Sequence, residues 1–369
     1  MNKLKLLLGV FSVCSTALVW AEVELADRLK SIDLPTGFEI ALYAQGVENS
    51  RQLALGKLGT VFAGSRSGKV HAIVDSNGNH QGDQVYLIAQ GLKLPLGTEF
   101  KAGALYVSAL DRILRYDDIE SQLEHPPEPE VIVDGLPGKT RHGGKYLRFG
   151  PDELLYVPIG APCNICDEEG FAQVRRLRAD GSGVDVYARG LRNSVGLAFH
   201  PETGELWLTD NGRDMLGDDL PADELNHAPR AGMHFGYPWC HQGDILDEKF
   251  GEGKSCSDYT PPAQKLGAHV AALGLTFYNG DMFPQSYRNQ LFIAQHGSWN
   301  RSEKTGYNIL LVRFDDNARV IGTEIFASGW LQGDEAWGRP NDILQMPDGS
   351  LLVSDDRANA IYRISYKKP

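Results

Sequence analysis

Six short apolar runs of one kind recur along the 369-residue chain and limit its fold more than any other feature. They are TVFAGS (60–65), ALYVSAL (104–110), LLYVPIG (154–160), ELWLTDN (205–211), QLFIAQH (290–296) and SLLVSDD (350–356). Each reads as a strand, and four follow a turn signal, LGKLG, GPDE, HPETG or MPDG. Several lead into a further strand with a basic or polar edge, as in GKVHAIV, DRILRYD, YNILLVRFD and NAIYRISY. No long segment of 3.6-residue period lies between them, so helix is scarce. Six similar units fit a radial β-repeat better than a sandwich. The expected fold is all-β: a six-bladed β-propeller forming one domain over 22–369. The widest gap, after the fourth unit, holds an insertion over about 213–272, and such loops cover one mouth of a propeller's central channel. Repeats by themselves specify a scaffold and no function.

A formal net charge of −12 opposes a nucleic-acid partner, whose phosphates it repels. The first residues, Lys3 and Lys5 followed by an apolar run to Trp20, read as a secretory signal peptide over 1–21, cut near Ala21. No other stretch is long and apolar enough to span a membrane, so the mature chain is expected in the periplasm or secreted. A lipoprotein reading through Cys14 is disfavoured by Val13 before it. Export leaves four cysteines, an even number in an oxidising compartment. A Cys240–Cys256 disulfide closes a Gly- and Asp-rich loop. Cys163 and Cys166 (CNIC) form a tight local bridge, a redox pair or half a metal site; without a second CxxC, a structural bridge is favoured over zinc.

His142 stands before Gly143 and Gly144, on backbone too bare to bury a structural imidazole, and glycines let another body approach the main chain. Polar residues recur at matching places in the other units: Arg51 and Arg66; Arg192 and Asn193; His296, Trp299, Asn300 and Arg301; Arg339, Asn341 and Asp342. Equivalent positions of different blades converge on one axis, where a ring of arginines repels itself unless an anion fills it. The stretch 209–226 adds Asp210, Asp214, Asp218, Asp219, Asp223 and Glu224 among glycines and asparagines. Hard oxygen ligands on a loop suit calcium, although the spacing is not that of an EF-hand. The remaining histidines, His200, His227, His234, His241 and His269, read as surface or structural.

HGGKYLRFGPDELLYVPIGAP, GLRNSVGLAFHPETGELWLTDNGRD, DELN, HFGYPWC and GRPNDILQMPDGSLLVSDD, in this order, resemble the soluble pyrroloquinoline-quinone (PQQ)-dependent sugar dehydrogenases, and within them the sorbosone dehydrogenase-like branch. The likeness runs from about residue 35 to 366. It implies PQQ, a flat orthoquinone with three carboxylates, as the anion that the ring lacks; Arg192 and Asn193 are carried over from the family, while Arg51, His296, Arg301, Arg339 and Asn341 are placed at the cofactor from position, charge and polarity. It implies His142 as the general base that takes a proton from the substrate hydroxyl while hydride leaves that carbon for the quinone. Arg192 and Asn193 then contact the quinone and stabilise charge on its oxygen. Ca²⁺ is implied beside it, held by the carbonyls of Gly212 and Arg213, with Asp210 of the acidic stretch as a further ligand. Glucose-oxidising relatives carry an acid immediately before the base, where this chain has Arg141.

The expected activity is oxidation of a sugar hydroxyl or hydrated aldehyde, with electrons passed to an external cytochrome or quinone. No Cys-x-x-Cys-His occurs, so the chain holds no c-type haem of its own. Two other readings stay open at this stage. A calcium-dependent lactonase-type propeller needs metal-bound carboxylates on the axis, and a non-catalytic secreted propeller needs only a binding surface.

Overall fold

The computed structural model describes residues 25–368. The expected leader, 1–21, lies outside the described residues. Each of the six apolar runs becomes the second strand of a blade: Val61–Ser65, Ala104–Ser108, Leu155–Ile159, Leu206–Asp210, Leu291–Gln295 and Leu351–Asp355. All six strands are buried at every position. Both faces of each lie against neighbouring blades, which is why they read as continuous apolar runs and not as alternating ones. The turn signals do their work in the tight connections. Gly349, at φ 87°, closes the turn before the sixth run, where any Cβ would meet Met282 at 2.8 Å.

Four antiparallel strands build each blade, with one short parallel strand, Met233–His234, added to blade three. The innermost strands, first in each blade, are Ser50–Leu55, Thr98–Lys101, Arg148–Phe149, Gly196–Phe199, Ala272–Phe277 and Pro340–Gln345. The ring closes where Phe38–Gln45, from the start of the chain, pairs with Ala360–Tyr366 from its end. This makes the outer strand of blade six, and joins the termini through main-chain hydrogen bonds. Apolar clusters fill the spaces between blades, such as Trp207, Leu275, Phe277 and Phe314 between blades four and five. Each such side chain stabilises the fold by roughly 1.5–3 kcal/mol on full burial.

The central channel is plugged by a polar network contributed by several inner strands. The Tyr146 hydroxyl donates to Asp342 Oδ1 at 3.0 Å, and Arg148 Nη2 donates to the Tyr146 oxygen at 3.0 Å. Asp342 Oδ2 accepts from Leu53 N at 2.8 Å, and Gln52 exchanges two hydrogen bonds with the Leu147 main chain. Within the expected insertion, Ala222–Ala228 and Gln264–Ala268 are strands of blade four itself. The segments that leave the blade are 211–221 and 229–263. Both expected disulfides are formed, Cys163–Cys166 and Cys240–Cys256, the second pinning 229–263. Among the described residues no helix is long and apolar enough to cross a membrane.

Candidate functional site

Loops at one end of the barrel surround a cavity of about 470 Å³. Units four and five each contribute twice, once before the inner strand and once after the second strand, while units three and six contribute from before their inner strands. From the expected site, His142, Arg192, Asn193, Arg51, His296, Arg339 and Gly212 all line this cavity. Four arginines and two aspartates stand on its wall, Arg51, Arg66, Arg192 and Arg339 against Asp214 and Asp223.

His142 adopts the left-handed conformation, φ 50°. The glycines after it line the cavity and are also required by local packing. A Cβ on Gly143 would meet the Lys139 carbonyl at 2.2 Å, and one on Gly144 would meet Leu96 at 2.1 Å. What comes close to this backbone is the protein's own core, and Gly160 closes the other side, where a Cβ would lie 2.8 Å from His142 Cβ. Buried Lys145 fastens the loop by donating to the carbonyls of Leu110, Gly143 and Pro137 at 2.5, 3.0 and 3.2 Å. His142 Nδ1 lies 2.7 Å from the Ala161 carbonyl. A carbonyl only accepts, so the proton sits on Nδ1 and Nε2 carries the free lone pair. Burial, and then the charge of Arg192, lowers the imidazole to about 3, so it is neutral at pH 7.

The arginines are less exposed to one another than a bare ring would be. Arg51 Nη1 pairs with Asp356 at 2.6 Å, and His296 Nε2 donates to the other oxygen of Asp356 at 2.8 Å. Burial keeps His296 neutral, at about 4, while the Arg51 charge and these contacts keep Asp356 ionised. Arg339 donates to the carbonyls of His296 and Gly297 at 2.9 and 2.5 Å and lies over the Tyr307 ring. Arg192 Nη2 pairs with Asp214 at 2.9 Å. Arg66, exposed at the rim, has no side-chain partner among the described residues. Trp299, 67% exposed, also lines the cavity and offers it an apolar surface.

Four expected residues stand elsewhere. Arg301 faces away from the cavity, because the 218–219 turn takes its guanidinium: Nε donates to Asp218 O at 3.1 Å and Nη2 to Asp219 at 2.9 Å. Asp210 lies beneath the site, with both oxygens spent on the Arg192 and Asn193 amides at 2.8 and 2.7 Å and on Ser194 Oγ at 3.0 Å. It supports the Arg-Asn pair, and it does not line the cavity. Arg213, expected to act through its carbonyl, does not line the cavity and sends its side chain into the insertion, to Asp247 at 2.5 Å, beside His241. Asn341 backs Arg51: with its amide oxygen toward the guanidinium it accepts from Nε at 3.2 Å and Nη1 at 2.5 Å.

Other residues at the site escaped the sequence reading. Asp356 ends the sixth apolar run, at the place where Asn211 and His296 end theirs. Applying one register rule to all six runs would have found it. His269, expected to be structural, lines the cavity, with Nε2 donating to Gly217 O at 2.8 Å. Asn164, hidden inside the CNIC loop, carried no signal.

Among the described residues no group of three or more His, Cys, Asp or Glu side chains is placed to hold a metal ion. Among the oxygen donors near Arg192, the Gly212 carbonyl and Asp214 line the cavity and are ligands of the hard type that calcium takes. Both accept from the guanidinium, at 2.7 and 2.9 Å.

The profile of one family, TrAA12-like, matches residues 32–367. An uncharacterized protein of Borreliella burgdorferi is 31% identical over 379 residues, covering 99% of this chain and 97% of that one. Aldose sugar dehydrogenase YliI of Escherichia coli is 29% identical over 195 residues, 51% of this chain and 46% of its own. Among solved structures, the holo form of the pyranose dehydrogenase PQQ domain from Coprinopsis cinerea superposes with a TM-score of 0.78. At 19% identity, with 90% of this chain and 97% of that one covered, it speaks for the fold alone. With the profile spanning nearly every described residue, the chain belongs to the TrAA12-like family of PQQ-dependent sugar dehydrogenases.

Proposed function

We propose that the protein oxidises a sugar at a carbon bearing a hydroxyl or hydrated aldehyde, with PQQ as its cofactor and His142 as its general base. The observation that carries this reading is a neutral imidazole, proton fixed on Nδ1 by Ala161, on the wall of a cavity lined by four arginines. Bound PQQ supplies the hydride acceptor, and a calcium ion at Gly212 and Asp214 adds Lewis acidity. The arginine wall suits a planar polycarboxylate, and unpartnered Arg66 is the cation with most to gain from one. His142 Nε2 takes the substrate proton, a contribution of roughly 10²- to 10⁴-fold. The Gly212 carbonyl and Asp214 are the residues that would hold calcium.

The reading extends to sorbosone or aldoses as substrates, an external cytochrome or quinone as acceptor, and an exported, periplasmic location. Two disulfides support export, since such bonds persist in oxidising compartments. The test is reconstitution: protein, PQQ and Ca²⁺, an absorption spectrum, then a panel of aldoses and sorbosone with a dye acceptor. Tight PQQ binding with dye reduction, lost in His142→Ala while PQQ binding persists, is the expected result. Failure to bind PQQ in the presence of calcium overturns the reading.

A further inference from the structure

Arg192 is held with unusual completeness. Its guanidinium has five N–H groups, and five protein acceptors take them. Nε donates to the Asn164 carbonyl at 2.9 Å, and Nη2 to Asn164 Oδ1 and Asp214 Oδ2, both at 2.9 Å. Nη1 donates to the carbonyls of Asn211 and Gly212 at 3.2 and 2.7 Å. Asn164 supplies two of the five acceptors, one from its main chain and one from its side chain. Its amide also binds Asp214 from both sides: Oδ1 accepts from Asp214 N at 2.8 Å, and Nδ2 donates to Asp214 O at 3.0 Å. One side chain therefore fixes the guanidinium and its counter-ion together.

Asn164 sits inside the four-residue loop that Cys163–Cys166 closes. Buried Tyr237 braces this loop from the insertion: its hydroxyl oxygen accepts from Cys166 N at 3.1 Å and lies 3.6 Å from Cys163 Sγ. The same segment reaches the base. Ala161 N donates to the Arg192 carbonyl at 2.7 Å, while Ala161 O receives His142 Nδ1. Without a covalent clasp, a loop of this kind frays, and a main-chain acceptor cannot be held by its own side chain.

We propose that Asn164, clasped between Cys163 and Cys166, is the positioning residue that fixes Arg192 on the cavity wall, and that this is what the CNIC disulfide is for. The role of Arg192 in turnover rests on the dehydrogenase reading above; its immobilisation does not. The first test therefore uses the cofactor-free protein. Phenylglyoxal modification of Arg192, followed by peptide mass spectrometry, is expected to run at least tenfold faster in Asn164→Ala and in Cys163→Ser/Cys166→Ser than in the wild type. Asn164→Asp keeps the Oδ acceptor and is expected to restore slow modification. Thermal midpoints run alongside, and if Asn164→Ala fails to fold, the cysteine pair and Asn164→Asp decide.

The second test is a double-mutant cycle on the PQQ-loaded enzyme. Asn164→Ala should lower kcat at least tenfold with little change in KM, and should add nothing in an Arg192→Lys background. Unchanged modification rates in folded Asn164→Ala and in the cysteine variant overturn the proposal. Additive losses in the cycle overturn it as well. Faster modification in a protein that binds no PQQ leaves Asn164 as the positioning residue and removes only the dehydrogenase reading.

Discussion

Removing Asp356 should reveal what it takes to keep a cation on the cavity wall. Arg51 and Asp356 have only 9% and 10% of their side chains exposed, with Nη1 and Oδ2 2.6 Å apart. His296 donates to the second oxygen, so the carboxylate serves two buried groups. Asp356→Ala leaves a guanidinium without its counter-ion where little water reaches, a situation that costs about 3–5 kcal/mol. With a urea m-value of about 3 kcal/mol/M for a chain of this size, the unfolding midpoint should fall by roughly 1–2 M. The assay is equilibrium urea unfolding of the cofactor-free protein, followed by tryptophan fluorescence. Adding Arg51→Met to Asp356→Ala should recover most of the loss, because deleting both partners leaves no orphan charge. A fall below about 0.3 M, or no recovery in the double variant, would refute the argument, since it would mean that Arg51 finds water or another acceptor.

Three further outcomes are expected. Gly160→Ala puts a Cβ within 2.7–2.8 Å of His142 O and Cβ, so kcat of the reconstituted enzyme should fall on the order of 10²-fold at unchanged folding, as a displacement near 1 Å does. The folded pKa of His142 lies below its unfolded value, so between about 6.5 and 3 only the unfolded chain binds that proton. Stability from this residue is therefore complete above pH 6.5 and is lost as pH falls through the window. The His142 ring signal in NMR should stay flat from pH 8 to 5, and a midpoint near 6.5 would contradict the burial argument. Replacing Cys240 and Cys256 by serine opens a link of sequence separation 16 and should cost about 3 kcal/mol of stability, read from the urea midpoint.

The blades were legible because burial on both faces writes a continuous apolar run, and the six second strands are buried throughout. Outer strands such as Gln84–Ala89 (QVYLIA) and Glu130–Asp134 (EVIVD) are apolar too but largely exposed, so their place as blade edges was set by the fold and not by burial written in the sequence. The site was legible in residue type and in order along the chain, since a propeller brings matching positions of its units to one end. Partnership was not legible. Asp356 reaches Arg51 across 305 residues of sequence, and nothing local to either announces the other. Arg301 looks like its neighbours in charge and position, yet the 218–219 turn takes it out of the cavity. Asp210 reads as a metal ligand in sequence, whereas in the fold it accepts from the Arg192 and Asn193 amides beneath the cavity.

What the chain alone determined, then, is the propeller, its two disulfides and the list of groups that meet at one mouth, because burial and unit spacing are local properties of sequence. Which of those groups are spent on one another, and which face the cavity with bonding capacity left, was decided only in three dimensions. A hydrogen bond or ion pair depends on distances of a few ångströms between blades, and these arise only when the ring closes.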